Sequence, residues 1–416
     1  MAKKLNWNQW NPWLDQTGKS TGQKLNNLED VPCDRTGALE KGQLVKGVVS
    51  DVAFGGDGVM RCENQVVFVP HVITGETVEA KIVETKKSYA KAQLVKVIDP
   101  SPERIDPKCP IYGECGGCQY QHISYPNQLI IKEKQVRDIF ERIGKLDGSK
   151  VRDVLPCPQP FNYRNRIMVR TQWNKAMKKM VVGFLRYHSR LVVPVEECHI
   201  AEYDLNKQLE NVKKDHSRKN GVKYVLRKFP ENWILPNDSF FQNNFFLLPG
   251  MVEEVKSCLK DFGGEYLVDT YCGVGFFALE LASEVKEFKG VEIDRMAIKA
   301  ANQNAKDKNI TNGSFVEGPT EKILPELMKA YPPEQTTVVL DPPRRGIDPS
   351  AIEFLKSIGP GQILYISCHP ATQARDLATF CSDGTYSVRL VKPMDMFPQT
   401  QHIECVADIR LNKQDT

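Results

Sequence analysis

Three residues in the last third of the chain, Asp341, Cys368 and Glu404, combine a thiol that can add to an electrophilic carbon with two carboxylates that can hold a ring or take a proton. Cys368 lies in "YISCHPATQARDL", directly after the apolar run "GQILYIS" and ahead of a helix-like segment. Taken alone it reads as a buried filler, because free cysteine usually behaves as a small hydrophobe. Asp341 sits in "LDPPRRG" after the buried run "TTVVL", where two prolines stiffen the loop, and Glu404 sits in "TQHIECVADI". Upstream, "LVDTYCGVGFFALELA" places Asp269 near a strand end, then Tyr271, then Gly273 and Gly275 in the turn entering a helix. Those glycines let backbone approach a ligand closely. Glu292, 23 residues after Asp269, falls at the end of the next strand, where an acid can bind both hydroxyls of a ribose. The third glycine of the dinucleotide fingerprint is missing, so adenosine is implied rather than a pyrophosphate.

The elements that must position these residues alternate. "EYLVDTYCG", "FKGVEI", "TTVVLDPP" and "GQILYIS" read as strands, and "GFFALELASEV", "DRMAIKAANQNAKDKN" and "PSAIEFLKSIG" as helices. Such alternation predicts βαβ units, an open, mainly parallel sheet, and a ligand at the carboxyl ends of its strands. The Asp-x-x-x-Gly-x-Gly pattern with its following acid resembles the S-adenosylmethionine site of Rossmann-like methyltransferases. Asp-Pro-Pro loops that serve methylation of base amino groups continue with an aromatic residue, whereas Arg344 stands here. That departure favours a substrate needing another activation, such as uracil C5. A thiolate adding to C6 makes C5 nucleophilic, C5 takes the methyl group, a base removes the C5 proton, and the thiolate leaves.

Upstream of the alternating region, residues 41–100 hold short β-branched runs separated by Gly, Asn and Asp, the pattern of a small β-barrel. Lys81, Lys86, Lys87, Lys91 and Lys96 decorate its last strands, either as a phosphate cradle or as a solvated edge. "PSPERIDP" reads as a linker. Residues 161–190 carry eight Lys or Arg and no Asp or Glu. In "YRNRIMVR" a period of two puts Arg164, Arg166 and Arg170 on one strand face, a surface suited to a polyanion. Net charge is only +4, so any nucleic-acid affinity must come from such local clusters.

The first forty residues are polar, with Trp7, Trp10 and Trp13, and read as a flexible arm. No apolar run reaches the 18 or so residues of a membrane span, and no signal peptide opens the chain. The expectation is a monomer of the cytoplasm with no membrane partner. Cys109, Cys115 and Cys118 in "KCPIYGECGGCQYQHI", with Cys198 in "EECHIAE", have spacing that suggests a metal, zinc being the first structural thought.

"DTYCGVG", "LDPPRRG", "YISCHPATQARDL" and "HIECVADI", in that order, resemble the RNA uracil-5-methyltransferase family over residues 41–413. The resemblance implies methylation of C5 of a uridine, most simply in 23S ribosomal RNA and alternatively in transfer RNA, with S-adenosylmethionine as methyl donor. An RNA cytosine-5-methyltransferase and a catalytically silent RNA-binding module are the other readings, and Pro343 and Arg344 stand where the cytosine enzymes carry a loop cysteine. Through the same resemblance Cys368 is the nucleophile, Glu404 the base and Asp341 the holder of the base ring. Gln242 of "SFFQNN" touches substrate and methyl donor, with Phe240 beside it; Arg344 joins the RNA contacts. The barrel is similar to the TRAM (OB-like) RNA-binding module, and the four cysteines resemble the [4Fe–4S] site of the ribosomal members. The implied fold is α/β: an arm over 1–40, a barrel over 41–100, a central iron–sulfur α+β domain over 101–250, and a Rossmann-like methyltransferase domain over 251–416.

Overall fold

The computed structural model describes residues 39–62, 65–215 and 219–412; the tryptophan arm and Cys33 lie outside these. The described chain forms two compact units that do not follow its linear order. One comprises residues up to Gln135 with Pro158–Arg227 and Phe397–Gln401; the other comprises Val136–Cys157, Lys228–Met396 and the residues from His402 onward.

In the first unit, strands β1 (Leu44–Val52), β2 (Asp57–Cys62), β3 (Gln65–Pro70), β4 (Thr77–Thr85) and β5 (Tyr89–Asp99) close a barrel in the order β1-β2-β3-β5-β4. Alternate residues such as Val45, Val49, Val67, Val69, Val78 and Ile82 fill its interior, the period-two pattern of a small barrel. The segment read as a linker is pinned to the barrel: Arg104 donates from Nε and Nη2 to the buried Glu76 at 2.5 and 2.7 Å, and from Nη2 to the His71 carbonyl. A buried carboxylate needs such a bidentate partner, and only the segment after the barrel supplies one.

Helix α1 (Tyr125–Ile139) follows, then β6 (Arg166–Asn174), β7 (Lys179–Leu185), β8 (Val192–Pro194), α2 (Tyr203–Lys214) and β9 (Lys223–Arg227). The four strands make an antiparallel sheet in the order β8-β7-β6-β9. Ile167, Val169, Val182 and Leu226 on one face pack with Leu205 and Leu209 of α2. The other face carries Arg166, Met168 and Arg170, partly or fully exposed.

The second unit contains α3 (Leu248–Phe262), β10 (Tyr266–Thr270), α4 (Phe276–Leu281), β11 (Glu287–Glu292), α5 (Arg295–Asp307), β12 (Gly313–Glu317), α6 (Thr320–Met328), β13 (Thr336–Leu340), α7 (Pro349–Ile358), β14 (Gln362–Ser367), α8 (Pro370–Cys381), β15 (Tyr386–Met394) and β16 (Glu404–Leu411). Its sheet runs β12-β11-β10-β13-β14-β16-β15, with the first five strands parallel and β16 antiparallel to both of its neighbours. Strands β13 and β14 are buried at every position, as central strands covered on both faces must be. The strand order reverses between β10 and β13, so the crevice at their carboxyl ends is where a ligand fits.

Candidate active site and basic surface

Asp269 is the fourth residue of β10 and is fully buried. Its Oδ2 accepts from the Ala278 N–H at 2.9 Å, whereas Oδ1 is buried without a partner. Burial pushes its carboxyl up to about 8, with the nearby Asp341 and Glu292 charges adding to the rise. Tyr271 follows the strand in the left-handed region at φ 57°, its hydroxyl donating to Glu321. Gly273 is also left-handed, and a Cβ there would meet nothing within 4 Å, so open space lies beside this backbone. Gly275 serves packing instead: a Cβ would come within 2.6 Å of the Phe315 ring. Glu292 ends β11 and fixes the turn, Oε2 accepting from Gly273 N–H and Oε1 from the N–H groups of Ile293 and Asp294.

Cys368 follows β14. In the antiparallel β14–β16 pair Ser367 is opposite Cys405, so one step outward brings Cys368 level with Glu404, the first residue of β16. Burial pushes the Cys368 thiol up, the Glu404 carboxylate pushes it further, and a hydrogen bond and the charge of Arg344 pull it down. Glu404 is buried and held well above the usual carboxylate range, first by burial and then by Asp341, with Arg344 opposing. Asp341, next after β13, is raised by burial to about 7. Three acids thus crowd the strand ends with Arg344 as the opposing cation on Cys368 and Glu404. Acids raised in this way would be drawn into their charged form by a cationic ligand, and a thiol beside them suits addition to a ring.

Several residues that sequence reasoning passed over hold this geometry. Gln373 of α8 donates to the carbonyls of Tyr365 and Cys405, stapling β14 to β16. Asp376 accepts from the Tyr365 hydroxyl and the Ile347 N–H, and Thr372 donates to the Arg344 carbonyl, so α8 carries the loop after Asp341. Gly346, at φ 87°, lies where a Cβ would come within 2.4 Å of Asp376 Oδ2. The segment bearing Gln242, which is buried, and Phe240, which is exposed, is anchored by Asn304, whose side chain bonds both backbone groups of Ile234 and the Val274 carbonyl. Asn244 bonds Cys157 Sγ and the Met396 carbonyl, and the Phe241 ring meets Trp233 at a tilt and Phe276 edge to face. An Asn in a helix interior carries no signal in a lone sequence, because its partners come from distant segments.

The first unit holds the remaining candidates. Arg166 and Arg170 lie on the open face of β6, and Arg164, half-buried between the buried Tyr163 and Asn165, stands just before the strand. Its N–H donates to the Ile200 carbonyl and its carbonyl accepts from Glu202, so it precedes the strand and lines the cavity of the cysteines. Cys109, Cys115, Cys118 and Cys198 line that one cavity, about 240 Å³. Burial raises all four thiols, and mutual repulsion adds to it for Cys115, at about 11, and for Cys118 and Cys198. Among the described residues, however, no group of three or more His, Cys, Asp or Glu is arranged to hold a metal ion. No helix of the described residues is long and apolar enough to cross a membrane.

The basic strands differ in pairing. In the barrel, Lys96 is opposite Glu79 and Lys91 opposite Glu84, and Lys86 pairs with Glu84 at 2.8 Å. In the central sheet Arg166 is opposite Arg227 and Arg170 opposite Lys223, with the exposed Met168 and Val225 between them. Like charges directly opposite cost about 0.2–1 kcal/mol per pair, so an anion on this face would relieve the repulsion.

The tRNA (uracil-5-)-methyltransferase family pattern matches residues 227–413, and the TRAM domain pattern matches residues 40–95. A Bacillus cereus protein described as an uncharacterized RNA methyltransferase is 30% identical, covering 90% of this chain and 99% of its own length. A Schizosaccharomyces pombe tRNA (uracil(54)-C(5))-methyltransferase is 32% identical over 92% of this chain and 81% of its own. The structure of Pyrococcus abyssi tRNA (uracil-54, C5)-methyltransferase in complex with S-adenosyl-L-homocysteine, 23% identical, covers 88% of this chain and all of that one at a TM-score of 0.65, so the two share a methyltransferase fold. With matches along nearly its whole length, the chain belongs to the RNA (uracil-5-)-methyltransferase family.

Proposed function

We propose that the chain methylates C5 of a specific uridine in RNA, in 23S ribosomal RNA, through a covalent adduct between Cys368 and C6 of the ring. The observation that carries this reading is the convergence of Cys368, Glu404 and Asp341 at adjoining strand ends around Arg344. Cys368 Sγ adds as thiolate to C6, and the electron pair moves to C5 and the C4 oxygen, leaving C5 nucleophilic. S-Adenosylmethionine supplies the methyl group, and Gln242, Asp269, Tyr271, Gly273, Gly275, Glu292 and Asp341 would hold it. Glu404 removes the C5 proton, the C5–C6 double bond re-forms, and the thiolate leaves. Arg344 opposes the two influences, burial and neighbouring carboxylate charge, that hold Cys368 protonated and Glu404 neutral. The protein acts as a cytoplasmic monomer in this reading.

The four cysteines are read as the seat of a [4Fe–4S] cluster with a structural role. One shared cavity supports this reading, and all-cysteine ligation suits such a cluster. Protein purified without oxygen should carry about four iron and four sulfide per chain. A second RNA reading, uridine 54 of transfer RNA, rests on the printed activity of the Schizosaccharomyces pombe relative. Mapping 5-methyluridine in the ribosomal and transfer RNA of a strain lacking the gene separates the two. Loss at one ribosomal uridine is expected; loss in transfer RNA alone moves the substrate, and loss in neither overturns the activity.

A further inference from the structure

We infer that a cavity at the β7–β8 hairpin takes a second nucleotide of the RNA substrate, away from the ring that is methylated. The inference rests on RNA being the substrate. The cavity measures about 910 Å³, and Met168, Arg170, Phe184, Tyr187, His188 and Arg190 are among its walls. That is within the size range of ligand pockets, about 300–1,000 Å³, and large for a single nucleotide.

Its charge is what a nucleotide phosphate would answer. The acids near it are already engaged: Tyr187 donates its hydroxyl to Asp57 at 3.1 Å, and Arg186 pairs with Glu114 at 3.0 Å. Among the described residues the guanidinium groups of Arg170 and Arg190 make no hydrogen bond or ion pair. Arg170 also faces Lys223 across the sheet, so cation stands against cation at the mouth. Two unneutralised guanidiniums lining one cavity suit bridging phosphates.

The opposite requirement, a flat apolar partner, is met by aromatic rings. The Tyr187 and His188 rings lie 4.0 Å apart, and His71 supports Tyr187 from behind at 5.7 Å. The hairpin that presents them is fixed by backbone bonds, Arg186 N–H to the Leu191 carbonyl and Tyr187 N–H to the Glu114 carbonyl. His188 is held at φ 50°, a conformation a non-glycine residue adopts at some cost. A rigid aromatic edge over an apolar floor, beside unpaired arginines, is the arrangement that stacks one base and grips its phosphates.

The test uses the full chain and a random-sequence 20-nucleotide RNA containing 4-thiouridine. Irradiation and peptide mass spectrometry should place cross-links within residues 184–190. The double variant R170Q/R190Q, with an unchanged melting transition, should bind a fluorescein-labelled version of the RNA about tenfold more weakly at 0.15 M salt. The log–log salt slope should fall by about 1.4 for two lost contacts on a single strand. Unchanged affinity and slope, with no cross-link in this segment, overturn the inference even if 5-fluorouridine RNA is trapped on Cys368 of the wild type. If trapping fails while the cross-link persists, the methylation reading falls and this RNA site stands. Adenosine monophosphate binding that is lost in the variant, without any RNA cross-link, makes the cavity a free-nucleotide site and also overturns the inference.

Discussion

The protein leaves charge unbalanced in two places and in opposite senses. At the strand ends of the second unit, burial holds the carboxyls of Asp269, Asp341 and Glu404 above the usual carboxylate range. On the open face of the central sheet in the first unit, Arg166, Arg170 and Lys223 are partly or fully exposed cations without acids opposite. In the barrel, by contrast, Lys86, Lys91 and Lys96 are matched by Glu79 and Glu84. Acids raised by burial favour a cationic ligand, and exposed cations with cations opposite favour a polyanion. The methyl donor and the RNA are ligands of those two kinds.

The strongest break of the acidic side is Glu404→Gln. Addition and methylation should proceed but elimination should stall, leaving methylated RNA attached to Cys368 and lowering turnover by roughly 10²–10⁴-fold. Gel analysis of denatured reactions reads the attached RNA directly; release at the native rate would place the base elsewhere. Arg344→Ala comes next. Arg344 lowers the Cys368 pKa against burial and Glu404, so its loss should move the alkaline rise of the rate to higher pH. A profile that keeps its midpoint means Arg344 does not act on the thiol.

A subtler effect follows from Asp341 at about 7 and Asp269 at about 8. Both lie above their unfolded values near 4, so the folded chain binds more protons than the unfolded one between those limits. Their contribution to stability is therefore complete below about pH 4 and lost as pH rises through 7 to 8. S-Adenosylmethionine, a cation, should bind more tightly over the same rise and release protons on binding, which calorimetry in two buffers of different ionisation heat detects. No proton release would mean the acids are already ionised.

The smallest expected effect sharpens the basic side. Arg166→Gln with Arg170→Gln should lower the salt slope of RNA binding by about 0.7 per contact, whereas Lys91→Gln with Lys96→Gln should barely change it. Equal effects would put the barrel lysines on the RNA as well.

The parallel strands and their end residues were legible because βαβ alternation fixes which strand ends meet, and Asp269, Glu292, Asp341 and Cys368 all follow or close such strands. The hairpin of β15 and β16 was not read as strands. Antiparallel insertion of β16 between β14 and β15, which sets Glu404 beside Cys368, comes from pairing that no local pattern records. Arg164 illustrates how a period-two reading can outrun the strand: burial alternates from Tyr163 through Arg170, although the strand itself begins at Arg166 and Arg164 bonds to residues 200–202. Asn304, Gln373 and Asp376 were silent for a similar reason, since each acts through backbone groups of segments far away in the chain. The hairpin cations Arg186 and Arg190 counted toward a basic stretch, yet only the fold distinguishes the paired one from the unpaired one.

The central claim is that Cys368 bonds to the uridine ring, and RNA carrying 5-fluorouridine tests it most directly, because fluorine cannot leave C5 as a proton does. With S-adenosylmethionine present, peptide mass spectrometry should find a methylated fluorouridine adduct on the peptide containing Cys368, absent from Cys368→Ala, whose methyl transfer to ordinary RNA should fall by about 10⁴-fold or more. Normal turnover by Cys368→Ala, or an adduct on Cys405 or any other cysteine, would contradict the account.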